Sequence, residues 1–259
     1  MRQFQNFEEE NIHYWTGRTD GYSQVNKEEL ASEQKRVWGG MLTKKIDAHF
    51  PGRAPEEIRV LDIGTGPGFF PIILTKAGHH VTGIDCVEDM LLEAKRNAEA
   101  EQVSPTLLLA DSHALPFPDN HFDCVISRNV TWTLIDAEQS YREWLRVLRP
   151  GGKILIFDAN WNLRYHVPEL MRQYQEDQKR FAEIFHKQPD TLSPEAEAYR
   201  RNVPMCKHYR PNWDFDTFLK IGVKKIFCDA DITDLVWDIG RKVRYRSTPM
   251  FLLVAEKPC

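Results

Sequence analysis

A short apolar run that ends in three alternating glycines constrains this chain more than any other stretch does. Residues 60–70 read V-L-D-I-G-T-G-P-G-F-F, and Val60, Leu61 and Ile63 form a run typical of a strand buried on both faces. Glycine tolerates positive φ and lets backbone N–H groups approach a ligand closely. An apolar, helix-like segment over 69–77 follows at once. A strand, a glycine-rich turn and a helix N-terminus together predict a nucleotide-binding crevice at the carboxyl end of a parallel sheet.

The spacing of the glycines distinguishes this turn from two related ones. A dinucleotide-binding turn, G-x-G-x-x-G, would have its third glycine where this chain has Phe69. A phosphate-binding P-loop would need Gly-Lys followed by Ser or Thr, which does not follow here. The G-x-G-x-G turn, entered through Leu61 and Asp62, resembles motif I of the class I S-adenosylmethionine-dependent methyltransferases. Within that family the chain looks like the small-molecule, UbiE-like members.

Two further stretches extend the resemblance. Residues 115–123 read L-P-F-P-D-N-H-F-D and are similar to the family's L-P-F-x-D-x-x-F-D pattern. The R-P-G-G turn at 149–152, before an apolar strand, also resembles the family. The ordered motifs cover residues 60–159. The resemblance implies an α/β fold with a Rossmann-like, doubly wound, mostly parallel sheet of seven strands and an antiparallel strand at its C-terminal edge.

An acidic residue ends the predicted second strand. Asp85 follows Gly64 by 21 positions, near the spacing of about 20 expected for a carboxylate that accepts hydrogen bonds from both ribose hydroxyls. Alternatively, Asp85 merely caps the next helix. For Asp111, after the third strand, the resemblance implies a contact with the adenine amino group, and an ordinary loop aspartate is the competing interpretation. Met90 packs either on the adenine face or in the core.

The carboxyl end of the predicted fourth strand carries Arg128, Asn129 and Val130, which face the crevice if the sheet is parallel. In the family, this position faces the methyl group and contacts the cofactor. With S-adenosyl-L-methionine as the implied cofactor, the predicted cofactor-binding residues are Asp62, Gly64, Thr65, Gly66, Gly68, Asp85, Cys86, Met90, Asp111, Ser112, Arg128 and Tyr22. No metal site is expected.

The implied reaction is in-line methyl transfer from a sulfonium, so the cofactor carries the difficult chemistry and the protein aligns donor and acceptor. This explains why no catalytic dyad stands out. A general base is needed only for an acceptor that must lose a proton. We consider Asp158, His166 and His113 as bases or orienting groups, although a lone histidine is more often structural.

Aromatic residues outside the motifs suggest an acceptor pocket. A ring-lined pocket favours a cationic amine, whereas the competing interpretation is that the rings form a small core of their own. The residues concerned are Trp15, Trp132, Trp161 and Tyr165.

Composition shifts predict four segments. Residues 1–50 form an N-terminal helical cap, since the aromatics within residues 1–25 are unlike a disordered tail. Asn26 and Glu29 match a capping box, and a helix that Gly39 and Gly40 kink or split is expected to run from there to about residue 50. The other segments are a cofactor-binding core at 51–160, an inserted helical lid at 161–210 and a C-terminal part of the sheet at 211–259, with an antiparallel hairpin of strands at 225–232 and 250–255.

The charge and the cysteine content limit which partners and which cellular compartment we expect. A formal charge of −4, without a run of basic residues, predicts no nucleic-acid partner. Five scattered cysteines argue against disulfides and against a thiolate zinc site. The start lacks the apolar core of a signal peptide, and no stretch approaches the ~20 apolar residues of a membrane span. We therefore expect a cytoplasmic protein with no membrane partner and with an undefined oligomeric state.

The sequence thus predicts an S-adenosylmethionine-dependent methyltransferase with a small-molecule acceptor. Three alternatives remain: a methyltransferase that acts on RNA or protein, a nucleotide-dependent oxidoreductase, and a non-catalytic Rossmann-like binding domain. Phe69 counts against the oxidoreductase, and the intact turn counts against a degenerate site. The segment after the fourth strand lacks an N-P-P-Y-type tetrapeptide, which makes methylation of a base amine less favoured.

Overall fold

The computed structural model describes residues 4–187 and 191–259; residues 1–3 of the predicted cap and 188–190 of the predicted lid lie outside these ranges. Within the described ranges, seven strands form one sheet in the order β3-β2-β1-β4-β5-β7-β6. The strands are β1 (Arg59–Ile63), β2 (His80–Asp85), β3 (Thr106–Leu109), β4 (Phe122–Arg128), β5 (Leu148–Ala159), β6 (Lys225–Asp229) and β7 (Met250–Glu256).

Eleven α-helices surround this sheet in the described part of the chain, with short 3-10 turns between some of them. The helices are α1 (Phe7–Thr16), α2 (Thr19–Leu30), α3 (Glu33–His49), α4 (Phe69–Lys76), α5 (Glu88–Ala100), α6 (Ala137–Val147), α7 (Pro168–Phe185), α8 (Pro194–Asn202), α9 (Asn212–Lys220), α10 (Thr233–Val236) and α11 (Ile239–Arg244). None of them combines the length and the apolar character that crossing a bilayer requires.

The strand order places a crevice at the carboxyl end of β1. This strand pairs in parallel with β2 on one side and with β4 on the other, so the chain order reverses between β1 and β4. In open α/β sheets, ligands bind outside the carboxyl ends of the strands at such a switch point. The Rossmann-like, mostly parallel seven-stranded sheet predicted from the sequence is therefore confirmed.

The expected antiparallel hairpin is present at the C-terminal edge of the sheet. Strand β7 runs antiparallel to both of its neighbours, pairing Met250 with Ala159 of β5 and Glu256 with Lys225 of β6, so that β6 is outermost. Because β6 runs in the same direction as β5, the chain leaves both strands at the carboxyl edge. The segments after Ala159 and after Asp229 therefore start on the same edge as the glycine turn.

Apolar side chains fill both faces of the sheet, as the unbroken apolar strands predict. Successive residues of a strand point to opposite faces, so Val60 and Leu61 belong to two different buried clusters. The cluster on one face contains Trp38 of α3, and the cluster on the other contains Trp144 of α6; both indoles are less than 2% exposed. Each face of the sheet is thus covered by helices.

The N-terminal helix divides elsewhere than expected. Gly39 and Gly40 lie inside an uninterrupted α3, and the break falls between α2 and α3, where the Ser32 hydroxyl accepts a hydrogen bond from the Gln34 N–H at 3.3 Å. Ser32 is the N-cap, whereas Asn26 and Glu29 are buried within α2. The capping-box prediction was wrong because the same spacing also arises when two polar side chains face a cavity.

The region between β5 and β6 carries α7 and α8, and buried polar contacts attach α7 to the chain near β7. The fully buried Asp177 of α7 accepts hydrogen bonds from Arg246 Nε at 3.1 Å and from the Ser247 N–H at 2.7 Å. The next residue of α7 is Gln178, whose Nε2 donates a hydrogen bond to the Arg244 carbonyl at 2.9 Å and thereby joins α7 to α11. Helix α7 and the segment that leads from α11 into β7 therefore form one continuous wall.

Candidate active site

The turn after β1 uses its three glycines in two different ways. Gly64, Gly66 and Gly68 all have positive φ, at 64°, 51° and 91°. A Cβ on Gly64 would lie 2.4 Å from Val130 Cγ2, and one on Gly68 would lie 3.0 Å from Ala94 Cβ. At Gly66 a Cβ would meet nothing within 4 Å. Two glycines therefore allow close packing, and the middle one faces open space.

Asp85 at the end of β2 supports this turn. Its Oδ2 accepts a hydrogen bond from the Gly66 N–H at 2.9 Å, and its Oδ1 accepts one from the Val87 N–H at 3.0 Å. The side chain of Asp85 lines the site and contacts Val87, the N-cap residue of α5, but α5 itself has no side-chain cap hydrogen bond, so the capping interpretation is wrong. Each oxygen retains acceptor capacity for a ligand hydroxyl. Burial raises the pKa of Asp85 to about 6.

A second carboxyl group, that of Asp62 in β1, lies under the turn. Asp62 is 3% exposed, and burial raises its pKa to about 7. Two amide oxygens that line the same cavity are buried without a hydrogen-bond partner in the described structure: Oδ1 of Asn26 and Oδ1 of Asn129. The edge of the sheet therefore offers acidic and neutral acceptors to a ligand that brings donors or positive charge.

One cavity of about 960 Å³ connects these groups. Of the predicted cofactor-binding residues, the cavity wall includes all except Gly68, which packs on α5 instead. The structure thereby brings together Asp62, Gly64, Thr65, Gly66, Asp85, Cys86, Met90, Asp111, Ser112, Arg128 and Tyr22. Whether they bind the cofactor remains a prediction.

His113, a predicted base, lines the cavity with both ring nitrogens engaged. Nδ1 lies 2.7 Å from Asp111 Oδ1, and Nε2 accepts a hydrogen bond from the Asp136 N–H at 3.2 Å. An Nε2 that accepts requires the proton on Nδ1, which donates to the carboxylate. His113 therefore orients Asp111 and has no free nitrogen with which to take a proton from a ligand.

The other two predicted bases are not among the described residues that line the cavity. Asp158 is fully buried and accepts hydrogen bonds from the Trp132 N–H at 3.0 Å and from Arg210 Nη1 at 3.1 Å. His166 is exposed, and its Nε2 lies 3.0 Å from the Arg201 carbonyl oxygen. The position of Asp158 at a strand end and the nearby His166 suggest a base, but neighbouring segments bury Asp158 and His166 faces outward.

Arg128 lines the cavity and forms an ion pair across it. Its Nη2 lies 2.8 Å from Glu29 Oε2, and its guanidinium lies 4.7 Å from the centroid of the Phe69 ring. Arg241 Nη2 contacts the other oxygen of Glu29 at 2.8 Å. Burial acts to raise the pKa of Glu29, but the two guanidinium groups outweigh it and hold the pKa below its usual range. Three segments distant in sequence thus meet at one carboxylate.

Sequence reasoning missed part of the cavity wall. The spacing from Asn26 predicts a helix-capping role for Glu29, and the segment that includes α11 carries no family motif. That segment contributes Trp237, Arg241 and Tyr245 to the wall. One signal in the sequence could have identified them. The two predicted edge strands could be joined by a short hairpin turn, but the segment between them is longer and contains a tryptophan and several arginines.

The aromatic wall is largely as predicted. Trp15, Trp132 and Trp161 line the cavity, whereas Tyr165 does not. Trp15 and Trp132 meet edge to face with their ring centroids 5.8 Å apart. The interpretation as a small core also has support, since Trp132 belongs to a buried cluster together with Tyr199. These rings form that cluster and line the cavity at once.

Comparisons with known proteins agree with this architecture. A family model described as a methyltransferase domain matches residues 61–156. The ubiquinone/menaquinone biosynthesis C-methyltransferase UbiE of Roseobacter denitrificans is 31% identical over 190 residues, which cover 70% of this chain and 71% of that protein. The demethylmenaquinone methyltransferase of Thermus thermophilus is 38% identical over 108 residues, and the chain spans 48% of its length.

A solved structure shares the fold. The crystal structure of a putative S-adenosyl-L-methionine-dependent methyltransferase from Methanococcus maripaludis superposes with a TM-score of 0.59 at 20% identity. The superposition covers 100% of this chain and 97% of that one. The likeness therefore extends beyond the matched core to the helices that enclose the cavity.

Proposed function

Because the chain belongs to the class I S-adenosylmethionine-dependent methyltransferases, we propose that it transfers a methyl group from this cofactor to a small-molecule acceptor. The observation that carries the proposal is the single cavity that joins the glycine turn to the aromatic wall. Its volume of about 960 Å³ is at the upper end of ligand sites, so it has room for a nucleoside cofactor and a small acceptor together.

The residues at the sheet edge fit S-adenosylmethionine. This cofactor carries a sulfonium and an α-ammonium group, and Asp62 is a buried carboxyl group whose ionised form a nearby cation would stabilise. The unpartnered amide oxygens of Asn26 and Asn129 are acceptors without donors, and the cofactor supplies ammonium and hydroxyl donors. Gly66 leaves space where any side chain would project. We propose that Asp85 receives the ribose and Asp111, held by His113, the adenine.

The bound cofactor would supply an electrophilic methyl group, so the residues of this chain need only bind, orient and exclude water. Helices α1 and α2 lie over the turn, with Trp15 and Tyr22 on the cavity side. The Glu29–Arg128 ion pair fixes α2 to the end of β4. None of the three predicted bases presents a free acceptor atom to the cavity, which favours an acceptor that arrives as a nucleophile without needing an enzymic base.

The same features support a small acceptor over a macromolecule. Residues of α2, α7, α11 and the segment at 161–164 line the cavity beside the sheet edge, and the net charge of −4 gives no support to a nucleic-acid acceptor. The R. denitrificans and T. thermophilus relatives are named for steps in quinone synthesis, which supports a small acceptor without identifying it. We retain the domain division predicted from the sequence as part of the proposal: cap, core, lid and C-terminal sheet.

An isotope experiment tests the proposal. Purified protein is incubated with methyl-labelled S-adenosylmethionine and a bacterial metabolite extract, and label is measured separately in the small-molecule, RNA and protein fractions. We expect label in small molecules and a requirement for intact Asp85. Label confined to RNA or protein would support the macromolecular alternative. Absence of binding to S-adenosylhomocysteine in calorimetry would instead reject the cofactor and leave the non-catalytic domain.

A further inference from the structure

Three arginines on the cavity wall have no carboxylate within ion-pair distance among residues 4–187 and 191–259. Arg18 lies between α1 and α2, Arg164 follows β5, and Arg200 lies on α8. Arg18 Nε is buried without a hydrogen-bond partner. Arg200 Nε donates to the Tyr14 hydroxyl at 2.8 Å, and the 8% exposed Arg164 donates to the Trp161 carbonyl. All their described contacts are therefore with uncharged groups.

Tyrosines flank all three guanidinium groups, and Tyr14 connects two of them, Arg18 and Arg200. Arg18 lies 5.7 Å from the ring centroids of both Tyr14 and Tyr22, and Tyr14 is the residue whose hydroxyl Arg200 contacts. Arg164 lies 4.1 Å from the centroid of Tyr174, on α7. The negative faces of aromatic rings stabilise a cation by about 0.5–2 kcal/mol, which is less than a buried carboxylate provides. The positive charge is thus held in place without being neutralised.

The acidic groups on the cavity wall do not balance this charge. Glu29 is paired with Arg128 and Arg241, and Asp238 lies 3.7 Å from Arg241. Asp85 accepts backbone N–H groups, Asp111 accepts from His113, and the cation that acts on Asp62 is Arg128. Glu8 on α1 is exposed. The cluster around Tyr14 therefore faces the cavity as uncompensated positive charge, an arrangement that is costly unless a ligand brings the counter-charge.

A buried amide beside Arg164 independently indicates a polar ligand. Asn162 is 2% exposed, lines the same cavity and contacts the Cys206 thiol, and neither Oδ1 nor Nδ2 has an oxygen or nitrogen partner in the described structure. Such a group costs about 1–3 kcal/mol when it is left unsatisfied. An amide that offers both a donor and an acceptor next to guanidinium groups suits an oxygen-rich group of a ligand.

We propose that Arg18, Arg164 and Arg200, with Asn162, bind an anionic group of the methyl acceptor, a carboxylate or a phosphate. This inference rests on the proposed function, since it specifies the substrate class of the same cavity. Guanidinium groups match the planar geometry of carboxylate and phosphate oxygens. The rings of Trp15 and Trp132 then face the apolar body of the acceptor. The cationic amine expected from the aromatic residues alone is disfavoured, because like charge would meet it.

A carboxylate could also come from the methionine part of the cofactor, so the experiment must separate the two sources. Calorimetric titrations use phenylacetate, phenyl phosphate and neutral phenylacetamide as probes of matched ring size. Each is titrated into protein with and without saturating S-adenosylhomocysteine, which occupies the cofactor's own carboxylate site. The variants are Arg200→Gln and Arg18→Gln, with Arg200→Lys retaining the charge and exposed Arg201→Gln on the same helix as the control.

With S-adenosylhomocysteine bound, at least one anionic probe should bind about tenfold or more tightly than the amide, and Arg200→Gln should remove the difference. Arg201→Gln should leave the preference intact, and Arg200→Lys should retain part of it. Equal binding of acid and amide, failure of all three probes to bind, or an unchanged preference in both glutamine variants would overturn the proposal.

Two further outcomes separate this inference from its premise. If the glutamine variants weaken the binding of S-adenosylhomocysteine as much as they weaken the binding of the probes, the arginines hold the cofactor carboxylate and the proposal is wrong. If the wild-type protein does not bind S-adenosylhomocysteine but still prefers anionic probes, the cofactor assignment fails while the anion site stands. Thermal unfolding of every variant verifies that a loss of binding does not reflect a loss of fold.

Discussion

Glu29 of α2 and Arg128 of β4 form a two-point ion pair inside the cavity, with 2.8 Å between Oε2 and Nη2 and 3.3 Å between Oε1 and Nη1. Because Arg241 of α11 contacts the same carboxylate, Glu29 joins the N-terminal helices, the central sheet and the segment before β7. The carboxylate therefore holds together the walls between which any ligand must lie.

Substituting Glu29→Gln should destabilise the protein by about 2 kcal/mol, because two half-buried guanidinium groups lose the buried carboxylate that carries their counter-charge. Urea unfolding at neutral pH measures the change. The matched control is Glu33→Gln, which removes the exposed i,i+3 pair with Arg36 and should change stability little. Equal effects of the two substitutions would show that the buried pair is not a structural contact of this kind.

Acid should weaken the same contact. The folded pKa of Glu29 is depressed, so its stabilising contribution is present above the unfolded value of about 4.3 and is lost as pH falls through the lower folded value. In the Glu29→Gln variant, this part of the acid sensitivity should be absent from unfolding curves recorded as a function of pH.

Asp85→Ala should weaken the binding of S-adenosylmethionine at least about tenfold, equivalent to ~1.4 kcal/mol. The reason is that the Gly66 N–H loses its acceptor and the cofactor loses the protein carboxylate proposed to bind its ribose. Calorimetry measures the affinity. Asp89→Ala, in the first turn of the following helix and away from the cavity wall, serves as the control. An unchanged affinity in Asp85→Ala would remove this residue from the binding site.

The affinity for S-adenosylmethionine should rise several-fold between about pH 6 and about pH 7.5, the range in which Asp62 ionises. Burial raises the pKa of Asp62 to about 7, so the carboxyl group is largely neutral at the lower pH and attracts a sulfonium only after it loses its proton. In the absence of ligand, the stability of the protein should change with pH in the opposite direction. The raised pKa of Asp62 in the folded state favours its neutral form, so its contribution to stability is present at low pH and is lost as pH rises through about 7.

Titrations with the Asp62→Asn variant provide the control for this prediction. The variant should bind more weakly at the higher pH and should show a flatter profile, with any residual slope due to Asp85, whose pKa burial raises to about 6. A wild-type affinity that does not change over the range would contradict the assignment of Asp62 to the cationic part of the cofactor.

Asp158→Asn should lower stability by about 2 kcal/mol and leave the affinity for S-adenosylhomocysteine unchanged. Asp158 lies in a buried network in which Arg210 also binds Asp214 through two nitrogens, at 2.8 and 2.7 Å, so the substitution weakens packing between β5 and α9. Unfolding and calorimetry together check both expectations. A variant of normal stability that has lost methyl transfer would instead revive Asp158 as a catalytic group.

The parts of the fold that the sequence predicted are those determined by local chain geometry. The glycine turn is readable because Gly64, Gly66 and Gly68 must all adopt positive φ next to a buried strand. The spacing from Gly64 to Asp85 is likewise set by one turn, one helix and one strand. In such a unit, positions along the chain convert directly into positions at the sheet edge.

The parts that the sequence did not predict depend on contacts between distant segments. Glu29 and Arg241 are 212 positions apart, and neither has a local pattern that identifies a partner. The three unpaired arginines can be recognised as a cluster only when the absence of nearby carboxylates is visible in three dimensions. His113 looked available in the sequence because its contact with the Asp136 N–H comes from a loop 23 residues away.

The attachment of α7 to the chain before β7, through Asp177 and Gln178, separates two kinds of change in this protein. In the proposed function, the segments after β5 and between β6 and β7 contribute to the acceptor-facing wall together with Trp15, Arg18 and Trp132, whereas β1, β2 and the turn contribute to the donor-facing edge. Substitutions and length changes in those two segments can reshape the wall without touching the sheet. Acceptor preference can therefore diverge during evolution while the donor is inherited unaltered, and exchanging both segments together is the natural route to redirecting the enzyme.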